Sequence, residues 1–107
     1  MKNMTATEFS TMLLSDVNPV MIDVREANEL VHGMIEGAIH IPMNEIPSQL
    51  EELGPNKDKP VVLICRSGKR SAQVGQFLEH VRFSNVINLD GGMNSWAAEV
   101  DTTMSTY

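Results

Sequence analysis

One cysteine, one tryptophan, one tyrosine and three phenylalanines in 107 residues rule out several familiar designs. A lone Cys65 excludes an internal disulfide and a cysteine-rich zinc site, and it leaves no resolving thiol within the chain. No apolar run approaches the roughly 20 residues that a bilayer-spanning helix needs, so no membrane association is expected. The opening Met1-Lys2-Asn3-Met4-Thr5 has no apolar segment of secretory type behind it, and the expected location is cytoplasmic. Positive charge is scarce too. Eight Lys and Arg face fourteen Asp and Glu, a net charge of -6, which argues against nonspecific attraction to nucleic acid or anionic membranes. Internal repeats and low-complexity stretches are absent. What remains is an ordinary globular composition, 42% hydrophobic and 21% charged. The expectation is one domain over residues 1–107, with 101–107 a mobile polar tail.

The few cations are unevenly placed. Arg66, Lys69 and Arg70 all fall within five positions after the only cysteine. The apolar run Val61-Val62-Leu63-Ile64 delivers Cys65 into Arg66-Ser67-Gly68-Lys69-Arg70-Ser71, after which a helical pattern begins. A curled turn at a helix start aims backbone N–H groups at one point, and the cations add to that field. Such a loop should hold an anion and favour the thiolate of Cys65, the form of cysteine that attacks. The plainer alternative is an inert buried cysteine ending a core strand, with solvated basic residues after it. Three cations and a glycine at this spacing weigh against that alternative.

Along the rest of the chain, Thr5-Ala6-Thr7-Glu8 matches a capping box, with Met4 and Phe9 as a hydrophobic staple, predicting a helix over 6–14. Strands are expected at 20–22, 38–41, 61–64 and 86–89, and helices at 46–53, 71–80 and 93–99. Val74, Phe77, Leu78 and Val81 give the third of these four helices one apolar face. The segment between Arg25 and Gly37 carries only a weak signal. Strands alternating with helices predict an α/β fold with a largely parallel central sheet and helices on both faces. In such sheets ligands bind beyond the carboxyl ends of the strands, where Asp23, Cys65 and Asp90 should lie together.

The loop Cys65-Arg66-Ser67-Gly68-Lys69-Arg70 resembles the active-site loop of the rhodanese family of sulfurtransferases. Asp23-Val24-Arg25-Glu26, Gly37-Ala38-Ile39-His40-Ile41-Pro42, and Leu89-Asp90-Gly91-Gly92-Met93 with Trp96 resemble the family's other signatures, in the expected order. The resemblance implies a single rhodanese domain with a three-layer fold. It implies that Cys65 takes the outer sulfur of thiosulfate or a similar small anionic donor, releases sulfite, and carries a persulfide. Cyanide, a thiol or a thioredoxin-like sulfur-relay protein would then accept the sulfur. No cofactor, metal or general base is required. Arg66, Ser67, Gly68, Lys69, Arg70 and Ser71 would bind the donor, with Ser67 and Ser71 donating hydrogen bonds. Related phosphatases separate cysteine and arginine by five residues, whereas Arg70 follows Cys65 after four and Ser71 holds the sixth position. The shorter loop favours sulfur over a phosphoryl group. The rival readings are a cysteine phosphatase or arsenate reductase, and a partner-specific sulfur carrier.

Other polar residues have plainer explanations. Asp23 and Arg25 are expected to order a loop by local pairing. Asp90 is expected to cap the last helix or tie its glycine turn. His32, His40 and His80 lack metal-site spacing and any link to Cys65 as a triad base. One departure from the family is Gly33-Met34-Ile35 with His32 placed before the glycine, which would loosen that loop. Trp96 and the eight methionines are expected to fill the core.

Overall fold

A computed structural model describes all of residues 1–107. Five parallel strands form one sheet in the order β1-β5-β4-β2-β3. They are β1 (Lys2–Met4), β2 (Val20–Asp23), β3 (Ile39–His40), β4 (Val61–Ile64) and β5 (Val86–Leu89). The helices are α1 (Ala6–Leu13), α2 (Leu50–Leu53), α3 (Lys69–His80) and α4 (Gly92–Glu99). Every residue of β4 and β5 is buried, as the unbroken apolar run of β4 demands of a central strand covered on both faces. Successive side chains point to opposite faces and so feed two cores. Val61, Leu63 and Cys65 join Val74 and Leu78 of α3, together with Ile46 and Leu53. Val62 and Ile64 join Phe9 of α1 and Met93 and Trp96 of α4.

The capping box at α1 forms as expected: Thr5 N–H donates to Glu8 Oε1 at 2.9 Å, and Glu8 N–H to Thr5 Oγ1 at 3.1 Å. Four features depart from the sequence reading. Lys2–Met4 adds an edge strand beside β5, too short and mixed to carry a signal. The helix expected over 46–53 is 3-10 from Met43–Gln49 and turns α-helical only for Leu50–Leu53. Pro47 explains this, since it has no N–H to give and its ring crowds the preceding α-helical turn. The weakly patterned stretch before β3 holds a 3-10 segment, Ala27–His32.

The fourth departure is at 101–107, expected as a mobile tail, which folds back onto α4. Tyr107 N–H donates to Asn94 Oδ1 at 3.0 Å, and Asn94 Nδ2 donates to Tyr107 O at 3.1 Å. No helix is long and apolar enough to cross a membrane.

Candidate active site

Cys65 leaves β4 at its carboxyl end, and the next residues curl back beneath the sulfur before α3 begins at Lys69. Gly68 makes this turn possible: its φ of 97° is left-handed, where a side chain would be strained. Its N–H donates to Cys65 Sγ at 3.0 Å, and Ser71 Oγ, in the first turn of α3, lies 3.3 Å from the same sulfur. The thiol is buried, with Cys65 only 1% exposed. Burial pushes its pKa up, but the Ser71 hydroxyl and the backbone N–H groups of Ser71, Gly68 and Ser67 more than offset this. The thiol is left below its ordinary value. The groups that lower it are hydrogen-bond donors, not the cations expected from the sequence.

The cations are arranged differently from the expectation of three converging charges. Arg70 turns to Glu29 in the 3-10 segment, donating from Nη1 to Oε2 at 2.7 Å and from Nη2 to Oε1 at 2.9 Å. This bond holds the Glu29 carboxyl down at about 2. Arg66 lies over the Tyr107 ring, 4.9 Å from its centroid, and His32 stacks on the same ring at 4.0 Å. Lys69 is exposed and makes no ion pair. Arg70 remains near enough for the Cys65 charge to act on it, so its field still reaches the sulfur. The structure thus gathers Gly68, Ser71 and the Ser67 N–H at Cys65. Much of the charge of Arg66 and Arg70 is committed to neighbours.

Two further signatures order the chain where it leaves β2. Asp23 and Arg25 are both fully buried, and Arg25 clasps Asp23 through Nε at 2.9 Å and Nη2 at 2.7 Å. The same guanidinium donates to Gly33 O at 2.7 Å and to the Tyr107 hydroxyl at 3.0 Å. That bond to Gly33, with Ile35 buried, holds the loop expected to be loose despite the displaced His32. The loop-ordering role expected of Asp23 and Arg25 is what the structure shows. The carbonyl of Arg25 can only accept, so His40 Nε2, 2.7 Å away, carries a hydrogen. No set of three His, Cys, Asp or Glu residues is placed to hold a metal.

The glycine turn after β5 works by close approach. Met93 N–H at the start of α4 donates to Cys65 O at 2.8 Å, and Asn94 N–H donates to Arg66 O at 3.1 Å. A Cβ on Gly92 would collide with Cys65 O and lie 2.6 Å from Arg66 C and O. Asp90 does not cap this helix; its side chain is exposed and Gly91 holds the N-cap position. With loop carbonyls already bonded to its first N–H groups, α4 has no need of a side-chain cap.

Three residues around the site escaped the sequence reading: Glu29, Tyr107 and Asn88. Glu29 and Tyr107 lie in weakly patterned or polar stretches with nothing to distinguish them. Asn88 did carry a signal, as the one polar residue in the otherwise apolar Val86-Ile87-Asn88-Leu89.

Residues 5–99 match the sequence profile of the Rhodanese-like domain. The chain is 41% identical over 98 residues to the candidate sulfurtransferase YtwF of Bacillus subtilis, covering 92% of each. It is 38% identical over 98 residues to a sulfurtransferase of Allochromatium vinosum, covering 91% of this chain and 90% of that one. The crystal structure of a rhodanese-like domain protein from Staphylococcus aureus superimposes with a TM-score of 0.84 at 35% identity, covering 94% of this chain and 95% of that one.

Proposed function

The chain belongs to the Rhodanese-like domain family, and from that premise we propose that it moves sulfane sulfur from thiosulfate, or a similar small anionic donor, to a thiophilic acceptor through a persulfide on Cys65. The observation that carries this reading is the hydrogen-bond cradle at Cys65 Sγ, which lowers the thiol pKa. In the first step the Cys65 thiolate attacks the outer sulfur of thiosulfate. The bond between the two donor sulfurs breaks, and sulfite leaves with its electron pair. The negative charge now sits on the outer persulfide sulfur. In the second step cyanide or a thiolate attacks that sulfur, and the Cys65 thiolate is regenerated. No proton need be moved at the reacting atoms when donor and acceptor are anions.

The loop's dimensions support sulfur over phosphorus. Cys65 is almost wholly covered, so a slender terminal sulfur approaches it more easily than a phosphorus bearing its oxygens. Arg66, Lys69, Arg70 and the hydroxyls of Ser67 and Ser71 are the donor-binding groups in this reading. Cytoplasmic conditions, which keep thiols reduced, suit a single unpaired cysteine. A second reading, a carrier loaded by a protein persulfide, is favoured by the commitment of Arg70 to Glu29 and of Arg66 to Tyr107, which leaves less charge for a dianion.

Thiocyanate production from thiosulfate and cyanide tests the first reading. Wild type is expected to turn over, and Cys65→Ser is expected to lose activity at least a hundredfold, as a missing nucleophile requires (on the order of 10²). Turnover surviving that change would remove the proposal, and turnover only with a persulfidated protein donor would establish the second reading.

A further inference from the structure

A carboxamide inside a core strand is costly wherever one of its polar groups is left unpaired. Asn88 is 4% exposed, in a strand buried on both faces, and all its polar atoms are paired. Its Oδ1 accepts from Ser71 Oγ in a short hydrogen bond. Its Nδ2 donates to Gly68 O at 3.2 Å and to Asn3 Oδ1 at 3.1 Å. Gly68 and Ser71 are the residues whose N–H and hydroxyl meet the sulfur, so the bonds close a ring: Cys65 Sγ, Gly68, Asn88, Ser71 and back to Sγ.

Ser71 has one hydroxyl hydrogen and two acceptors for it. With Cys65 as a thiol, S–H donates to Ser71 Oγ, and the hydroxyl donates to Asn88 Oδ1. With the proton lost to water, the sulfur has only acceptor capacity. The hydroxyl then serves it by turning away from Asn88. When a second sulfur caps Sγ, the charge moves to that outer atom and the hydroxyl is free to return to Asn88. We propose that Asn88 is a positioning residue acting through Ser71: its Oδ1 competes with Cys65 for the Ser71 hydrogen, favouring protonated and persulfidated sulfur over the bare thiolate, while its Nδ2 holds the Gly68 carbonyl in place.

Among charged side chains, the field of Arg70 reaches the sulfur, and its pairing with Glu29 involves none of the substituted atoms. Arg66 rests on Tyr107, Lys69 is exposed, and Asp23 and Arg25 at the exit of β2 satisfy each other.

The test is the pH dependence of Cys65 alkylation by iodoacetamide, without sulfur donor, in wild type, Asn88→Ala, Ser71→Ala and the double variant. Such a cycle separates the effect carried by Ser71 from the effect carried by Gly68. Asn88→Ala is expected to shift the apparent thiol pKa lower by about one pH unit when Ser71 is present, relative to its effect in the Ser71→Ala background. Asn88→Asp, nearly isosteric and a stronger acceptor, is expected to give the opposite coupling, and it decides the matter alone if Asn88→Ala does not fold. Equal shifts in both backgrounds would overturn the proposal and leave Asn88 as a brace for Gly68. Only the persulfide step rests on the sulfurtransferase reading. Because the alkylation assay uses no donor, a failure of sulfur transfer leaves its result standing.

Discussion

At Gly92, a single hydrogen in place of a methyl group decides whether the cysteine loop closes. A Cβ there would meet the carbonyl groups of Cys65 and Arg66, both backbone, and a φ of 56° is itself unfavourable for a side chain. Gly92→Ala is therefore expected to destabilise the fold by about 1–3 kcal/mol and to disturb the Sγ cradle. Urea unfolding would read the first effect. A fall in the iodoacetamide alkylation rate near neutral pH would read the second, and an unchanged rate would separate α4 from the reactivity of the thiol. The need for conformational freedom at Gly91 and Gly92 was legible from the glycine pair after a strand. The collision was not, because it depends on how closely α4 approaches the loop. The capping role expected of Asp90 is absent for the same reason: the N–H groups it would have capped already serve the loop.

Elements fare better than contacts. Val61–Ile64 and Val86–Leu89 fall where their apolar residues placed them, because a strand buried on both faces leaves a near-continuous pattern, unbroken in the first and interrupted only by Asn88 in the second. The 3-10 segment Ala27–His32 left no such pattern, since none of its side chains is buried. It is held instead by Arg25 from the end of β2. Arg25 is fully buried with Asp23, so Arg25→Met would leave an uncompensated carboxylate in the core. The expected cost is about 3–5 kcal/mol, measured as a lower urea midpoint. A loss below about 1 kcal/mol, the usual worth of an exposed pair, would show that Asp23 finds water or another partner. The same variant frees Gly33 O and the Tyr107 hydroxyl, so the loop before β3 should exchange its amide hydrogens faster.

Across the whole molecule, Glu29 joins the loop before β3 to the cysteine loop and to the C-terminal segment through Arg70 and Tyr107. Sequence could place three cations near Cys65, but not the carboxylate that answers one of them from forty-one positions away. The linkage has a definite pH signature. The Glu29 carboxyl lies at about 2 in the folded chain, against an ordinary 4.5. The unfolded chain therefore binds the proton first as pH falls. The stabilisation is fully present above 4.5 and is lost as pH falls through about 2. Glu29→Gln is expected to show a shallower loss of stability over that window, followed by urea midpoints at stepped pH. It should also release Arg70 toward the site and lower the KM for thiosulfate. An unchanged KM would mean that Arg70 does not contribute to anion binding.

The proposed reaction turns on whether the Cys65 sulfur accepts and carries another. Intact mass after incubation with thiosulfate, followed by removal of excess donor, tests this directly. A gain of one sulfur atom is expected in wild type, reversed by cyanide and absent in Cys65→Ser. No gain in wild type would contradict thiosulfate as donor, and an equal gain in Cys65→Ser would contradict the role of Cys65 itself.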